Sequence, residues 1–565
     1  MKPVIYQLFP RYFGNKRAAK YRTKPNVVNG TIEENGVGKF SHITPRVLRS
    51  LRSSGYTHVW FTGVLDHATQ TDYTTLGQPA NHPAIVKGRA GSPYAVRDYY
   101  NVDPDLADHP DRRFDEWMSV VDRTHRAGLK VIMDFVPNHV ARDYHSVSAP
   151  AGVRDLGADD RTDWHFSPAN NFYYCVGESF SPQFDRQGYI EYPARATGND
   201  CFSASPSAND WYETVKLNYG VDYCGGMTKH FDPVPDTWHK MVEILEFWTS
   251  HGIDGFRCDM AEMVPVEFWH WAIHRIKALN PGVIFLAEVY NPSLYRNYIY
   301  DGGFDYLYDK VGLYDTLFSI VRHDAPASSI TYAWQAVDDI KCHMLSFLEN
   351  HDEIRIASDV NEQYTTSYLT SRGFVATAVA ALMSGGPLMV YAGQEVGETA
   401  AETEGFSGRD GRTTIFDYWR VDRLCRLQKT LDGKHSLDTD DDALFNRYTA
   451  LTRLTALPVV TDGNFYDLMW LNTRNPQFDP DRTYTFVRYL RDEVLLVVAN
   501  FANQPSQIGI SLADHLFDTM RLSPSDSVTA TDLLTSSKHN IAFTPARRTI
   551  VDIEANDIVC LNFKL

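Results

Sequence analysis

Four short stretches carry a carboxylate at the end of a β-rich run: DFVPNH (134–139), GFRCD (255–259), FLAEV (285–289) and FLENHD (347–352). Between them they hold Asp134, Asp259, Glu288, Glu349 and Asp352, with His139, His351 and Arg257. Arg355 follows shortly after the last of them. A single carboxylate at a strand end is ordinarily a helix cap, and burying one without a partner or a task is costly. Four such strand ends, with two histidines and two arginines, fit a reaction centre better. Two carboxylates about 5–5.5 Å apart can act on a glycosidic bond as nucleophile and general acid/base, with retention. The nucleophile must stay ionised, and a guanidinium beside it lowers its pKa and fixes its rotamer. In a strand, Arg257 and Asp259 share one face and Cys258 points to the other. The acid must keep its proton and wants apolar surroundings. Glu288 follows VIFLA and has no basic neighbour in sequence. Metal hydrolysis would want clustered ligands such as HExxH, which the chain lacks.

Such a centre needs a scaffold that gathers strand ends on one rim. An amphipathic helix, a glycine and a short apolar run recur over residues 45–64, 114–136, 236–260, 267–290 and 367–395. Glycine suits the left-handed residue that closes a helix. The runs are continuous and rich in Val, Ile, Leu and Phe, as parallel strands buried on both faces should be. With strands near 4–9, 303–308 and 343–349 the count reaches eight, which favours a (β/α)8 barrel over an open sheet. No GxGxxG or P-loop follows a strand, so a nucleotide cofactor is not expected. The barrel is assigned to residues 1–140 and 236–465. Residues 141–235 are too long and polar for a bare loop and read as an inserted domain after the third strand. Residues 466–565 read as a C-terminal antiparallel β-sandwich domain. LDTDDDALF (437–445) reads as a solvated turn. GFSGRDGRTTIFDYW (405–419) follows the eighth strand and is placed to overhang the cleft.

The chain has 565 residues and a net charge of −17, which disfavours nucleic acid as a partner because phosphate binding needs a basic face. No apolar run approaches the roughly 18 residues of a membrane span, and no lipidation signal is present, so no membrane partner is expected. Seven scattered cysteines form no CxxC pair and read as reduced thiols. PVIYQLF already resembles a first strand, so the expected location is the cytoplasm, or outside it if a leader has been removed.

The ordered blocks DFVPNH, GFRCD, FLAEV and FLENHD resemble those of the α-amylase family, glycoside hydrolase family 13. GGPLMVYAGQE (385–395), SPYAVRDYYNVDP (92–104) and VKLNYG (215–220) resemble further blocks of it. The resemblance implies Asp259 as nucleophile, Glu288 as general acid/base and Asp352 as the third, transition-state-stabilising carboxylate. It implies that Arg257 holds the nucleophile and that His139 and His351 bind sugar hydroxyls. Tyr94 would be the aromatic platform, with Asp98 four residues on. Asp98 and Arg355 are grouped with the substrate-binding residues, and Asp134 and Arg355 would support the site. Asn138 would be a ligand of a structural calcium where the barrel meets the inserted domain. The implied activity is retaining hydrolysis of α-1,4 bonds in maltooligosaccharides or starch. The alternative is a glucanotransferase, or a cyclomaltodextrinase- or neopullulanase-like enzyme, with the same double-displacement site. Two departures bear on substrate choice. Ser92-Pro93 replaces the His-Gly before the platform, and Glu262-Met263 replaces the Lys-His after the nucleophile, so acceptor-side contacts should differ.

Overall fold

The computed structural model describes residues 2–360 and 363–565. Eight strands make one parallel sheet: β1 (Val4–Leu8), β2 (His58–Phe61), β3 (Lys130–Phe135), β4 (Gly255–Cys258), β5 (Ile284–Ala287), β6 (Tyr306–Tyr308), β7 (Met344–Leu345) and β8 (Leu388–Tyr391). They pair in chain order, and β8 returns to pair with β1. A single parallel bridge, Ser346 to Leu388, closes the gap between β7 and β8. The sheet is therefore the expected barrel.

Alternation along the strands decides what fills it. Ile5, Trp60, Ile132, Leu286, Tyr308, Leu345 and Met389 form one buried apolar cluster inside the barrel. One pleat higher on β1, β3 and β4 come Gln7, Asp134 and Arg257, so the interior turns from apolar to polar towards the strand C-termini. Phe256 and Cys258 face the other way and join the large cluster between barrel and helices. The small thiol fits there because Phe135, Phe285 and Trp269 occupy the same layer.

The helices that wrap the barrel include α1 (Pro45–Ser53), α2 (Arg113–Arg126), α3 (Asp236–Ser250), α4 (Val266–Leu279), α5 (Asp315–His323) and α6 (Thr366–Met383). Gly128 after α2 and Gly252 after α3 take φ of +77° and +85°, the left-handed closure expected of them. The glycines after α4 and α6 do something else. Gly386 is needed for close approach, since a Cβ there would meet the carbonyl oxygens of Lys341 and Met344 at 2.7 Å.

Residues 141–235 contain little regular structure. A short strand, His139–Ala141, pairs antiparallel with Thr214–Lys216 and anchors both ends of this segment to the barrel rim. The remaining order comes from side chains. Arg142 is fully buried, pairs with Glu191 at 2.8 Å and donates to the Tyr212 and Thr214 carbonyls.

Beyond the barrel, β9 (Asn464–Asp467), β10 (Thr483–Leu490), β11 (Glu493–Asn500), β12 (Ser506–Ile510), β13 (Ser525–Asp532), β14 (Lys538–Phe543), β15 (Thr549–Ile553) and β16 (Asp557–Lys564) follow. Six form an antiparallel sheet in the order β9-β10-β11-β16-β13-β14, and β12 pairs with β15. This fits the expected sandwich, with one unexpected helix over Asp514–Met520. The acidic run near residue 440 is a correction: it opens a helix over Thr439–Leu454. Asp438 caps it by accepting from the Asp441 N–H at 3.0 Å, and Asp440, Asp441 and Asp442 fill the first turn, where acids favour the helix dipole. Among the described residues no helix is long and apolar enough to cross a membrane.

Candidate active site

Arg257 is the hub. It is fully buried on β4, and its guanidinium reaches both flanking strand ends. Nη1 donates to Asp259 Oδ1 at 2.6 Å, and Nη2 lies 2.8 Å from Glu288 Oε2, an ion contact outside hydrogen-bond angles. Nε donates to the Tyr308 hydroxyl at 3.2 Å, and Asp134 Oδ1 lies 3.9 Å from Nη1. The rings of Trp60, Tyr94 and Tyr308 stand 5.3, 5.4 and 5.6 Å from the guanidinium carbon. Arg suits this position because its planar fork serves two carboxylates at once and stacks on aromatic faces.

The surroundings of Glu288 correct the sequence reading. The carboxylate does not sit among apolar groups. Oε2 accepts the Met260 N–H at 2.8 Å and faces Arg257, while Oε1 accepts the Tyr290 hydroxyl. The reason is register: Arg257 on β4 sits opposite Leu286 on β5, so a guanidinium remote in sequence is a neighbour in space. Met260 takes φ +43° and ψ +43° to turn its N–H towards Glu288. Left-handed backbone at a non-glycine residue is strain of the kind that gathers at functional sites.

Burial pushes the Asp259 carboxyl up; Arg257 pulls it down, but Glu288 and Asp352 add to the rise, and it ends well above the ordinary Asp value. Arg257 thus opposes a rise that burial and the neighbouring carboxylates win, where the sequence predicts a depressed carboxyl. Asp352 differs. Burial raises it, but His351, Arg257 and Arg412 outweigh that, and it titrates below the ordinary Asp value. Its carboxylate is about a third exposed (32%), on the cleft, and 3.0 Å from His351 Nε2.

The histidines are held in defined tautomers by amides. The Gln7 amide donates to His351 Nδ1 at 2.9 Å, so the proton sits on Nε2, which faces the Tyr94 hydroxyl at 2.6 Å. That hydroxyl donates on to Asp134 Oδ1 at 3.3 Å. The Asn138 amide faces His139 Nδ1 at 3.1 Å, which leaves Nε2–H pointing towards Asp259 Oδ2, 4.0 Å away. Burial, then Lys216 and Lys87, depress the His139 imidazole to about 3. It is therefore a neutral donor at any working pH.

Tyr94, His139, Asp259, Glu288 and Asp352 line one cleft of about 660 Å³ at the strand C-termini. Two residues grouped with sugar contacts lie elsewhere. Asp98 is fully buried and accepts from Ser146 Oγ at 2.6 Å and from the Tyr100, Val147 and Ser148 N–H groups, so it anchors a loop. Arg355 is also fully buried, pairs with Glu349 at 2.9 Å and stacks 3.9 Å from the Tyr391 ring. Asn138 turns its oxygen to the Lys216 ammonium. Glu262 does not face an acceptor in its hydrogen bonds. Its Oε2 accepts the Tyr290 and Asn291 N–H groups at 3.1 and 3.0 Å and so braces the loop beyond Glu288.

Other cleft residues were not singled out from the sequence. Trp211 and Lys87 belong to segments without a motif. Tyr290 was detectable in principle, since it lies two residues beyond Glu288, on the same face of the extended chain. Phe406 and Phe416 come from the 405–419 stretch, which does overhang the cleft.

Fold and site together define a parallel-barrel enzyme whose strand ends crowd carboxylates around one arginine. Residues 7–275 match the family description "Alpha amylase, catalytic domain". Neopullulanase 2 of Thermoactinomyces vulgaris is 23% identical over 515 residues, spanning 88% of this chain and 69% of that protein. An alpha-amylase of Streptomyces lividans is 24% identical over 401 residues, covering 66% of this chain and 42% of its own length. Among solved structures, the maltogenic alpha-amylase AmyB of Thermotoga neapolitana superposes with a TM-score of 0.63 at 18% identity, over 100% of this chain and 99% of that one. That match and these relatives place residues 7–275 with the α-amylase family, and the chain is a glycoside hydrolase acting on O-glycosyl bonds.

Proposed function

We propose that this enzyme is a retaining α-glucan hydrolase that cleaves α-1,4 bonds of maltooligosaccharides. The carrying observation is the single guanidinium shared by Asp259 and Glu288, which keeps the two carboxylates a few ångströms apart, as direct attack requires. Glu288 protonates the glycosidic oxygen while the Asp259 carboxylate attacks the anomeric carbon, breaking the bond to the leaving sugar and forming a glycosyl ester. Glu288, now ionised, takes a proton from water, whose oxygen displaces Asp259 with a second inversion. Asp352, His139 and His351 would hold the distorted sugar over Tyr94. The aromatic walls Trp211, Phe406 and Phe416 favour a short or curved glucan, as do the relatives named neopullulanase and cyclomaltodextrinase.

Proton NMR of maltoheptaose digestion tests the reading. The α-anomer should appear first and mutarotate later, and initial release of the β-anomer would overturn it. Chains longer than the substrate would instead mean transfer to a sugar hydroxyl. Tyr290→Phe removes the hydroxyl from Glu288 Oε1. A hydrogen bond to a charged group is worth about 1.5–3 kcal/mol, so kcat should fall roughly 10- to 100-fold with KM little changed. Steady-state kinetics on maltoheptaose checks this, and a kcat within twofold of the parent would refute the role.

A further inference from the structure

The family resemblance implies a calcium ligand at Asn138, and the residues around that side chain do not fit one. Calcium takes six to eight oxygens at about 2.3–2.6 Å. Here the Asn138 Oδ1 accepts from the ammonium of Lys216, which is almost completely buried (2% exposed). The same Nζ lies 2.7 Å from Asp200 Oδ1 and 3.3 Å from the Met263 carbonyl oxygen, with the Tyr223 ring 5.3 Å away. An ammonium bonded to the ligand oxygen occupies its lone pair and repels a dication. Among the described residues, no group of three or more His, Cys, Asp or Glu could hold a metal ion.

We propose that the Lys216 ammonium is a built-in cation that does the work of a bound metal at the junction of barrel and inserted segment. Its partners come from three separate parts of the chain. Asn138 follows barrel strand β3, Asp200 belongs to the inserted segment, and Met263 closes the turn after the proposed nucleophile. Lys216 itself pairs with His139 in the short ladder that anchors the insertion. With its oxygen committed to Lys216, Asn138 directs its amide to the Gly198 carbonyl at 2.7 Å and to His139 Nδ1. One ammonium thus fixes the insertion, the turn beyond Asp259 and the orientation of His139. A metal does this by mass action and can dissociate; a covalently attached side chain cannot.

Metal analysis and thermal unfolding of the full chain test this without reference to substrate, so failure here and failure of the hydrolase reading are separate results. After dialysis against EDTA the protein should hold no stoichiometric calcium. Its Tm should agree within about 1 °C in EDTA and in millimolar calcium, because a ligand bound only to the folded state must raise Tm. A calcium-dependent rise of several degrees, or one tightly held calcium per chain, overturns the proposal. Lys216→Met keeps the stem and removes the charge. Its Tm should fall by about 2–4 °C, since removing one partner strands the Asp200 carboxylate and the Asn138 oxygen. An unchanged Tm would show that the ammonium ties nothing. Should this variant not fold, the calcium and EDTA results on the parent chain decide alone.

Discussion

Glu288→Gln is expected to cut turnover of maltoheptaose by about 10²–10⁴-fold, the usual worth of a general acid/base. The amide can still accept the Met260 N–H, so local structure should survive. What disappears is the proton for the leaving oxygen and the base for the incoming water. The two losses can be told apart. A substrate with a leaving group that needs no proton, such as a glycosyl fluoride, should still form the ester at close to the parent rate. Ester hydrolysis should then be slow, giving a burst, and azide should accelerate it because an anionic nucleophile needs no base. Near-parent turnover of maltoheptaose would falsify the assignment. Equal loss on both substrates would move the role of Glu288 from proton transfer to simple positioning.

The barrel was legible because its physics is local. A parallel strand buried on both faces must be a short apolar run, and a helix that turns back to it needs a stop. VIFLA and GFRC show both period and placement without any partner in view. The carboxylates were legible because ionisable groups at the ends of such runs contradict the apolar pattern. What lay outside sequence reach was cross-strand register. Arg257 stands opposite Leu286, and that alone puts its guanidinium on Glu288, which has no basic neighbour along the chain. Asp98 misled for a related reason. The family resemblance grouped it with the substrate-binding residues, but the pairing of Leu65–His67 with Val96–Val102 is irregular around it, and the side chain turns to Ser146–Ser148. The acidic run that opens the helix over residues 439–454 was read as a solvated turn, and its capping geometry was missed. Lys216 could not have been interpreted from VKLNYG, because its meaning depends on Asn138, Asp200 and Met263.

Charge balance then explains why one residue dominates the site. Asp134, Asp259 and Glu288 converge on the Arg257 guanidinium. At an effective dielectric of about 20, a unit charge 4 Å away is worth about 4 kcal/mol. That is enough to decide whether a buried carboxylate is ionised, since each pKa unit is 1.36 kcal/mol.

Arg257→Met should therefore do more than loosen the nucleophile. With the guanidinium gone, burial and the repulsion of Glu288 and Asp352 still raise Asp259, and its main opponent is lost. The carboxyl rises further, and at pH 7 a smaller fraction is ionised to attack. We expect kcat/KM to fall by about 10³-fold or more, with the acid limb of the pH profile displaced to higher pH. Stability should acquire a matching pH dependence. A carboxyl whose folded-state pKa lies above its unfolded value favours folding at low pH, and that contribution is lost as pH rises through the folded pKa. The variant should therefore lose more Tm, relative to the parent, at pH 8 than at pH 5. Arg257→Lys keeps the charge, but its ammonium is a point charge without the planar fork and serves one carboxylate at best. It should restore part of the Tm at pH 8 while recovering little of the activity. If Arg257→Met keeps the parent pH profile and merely lowers kcat, the guanidinium orients Asp259 without setting its charge.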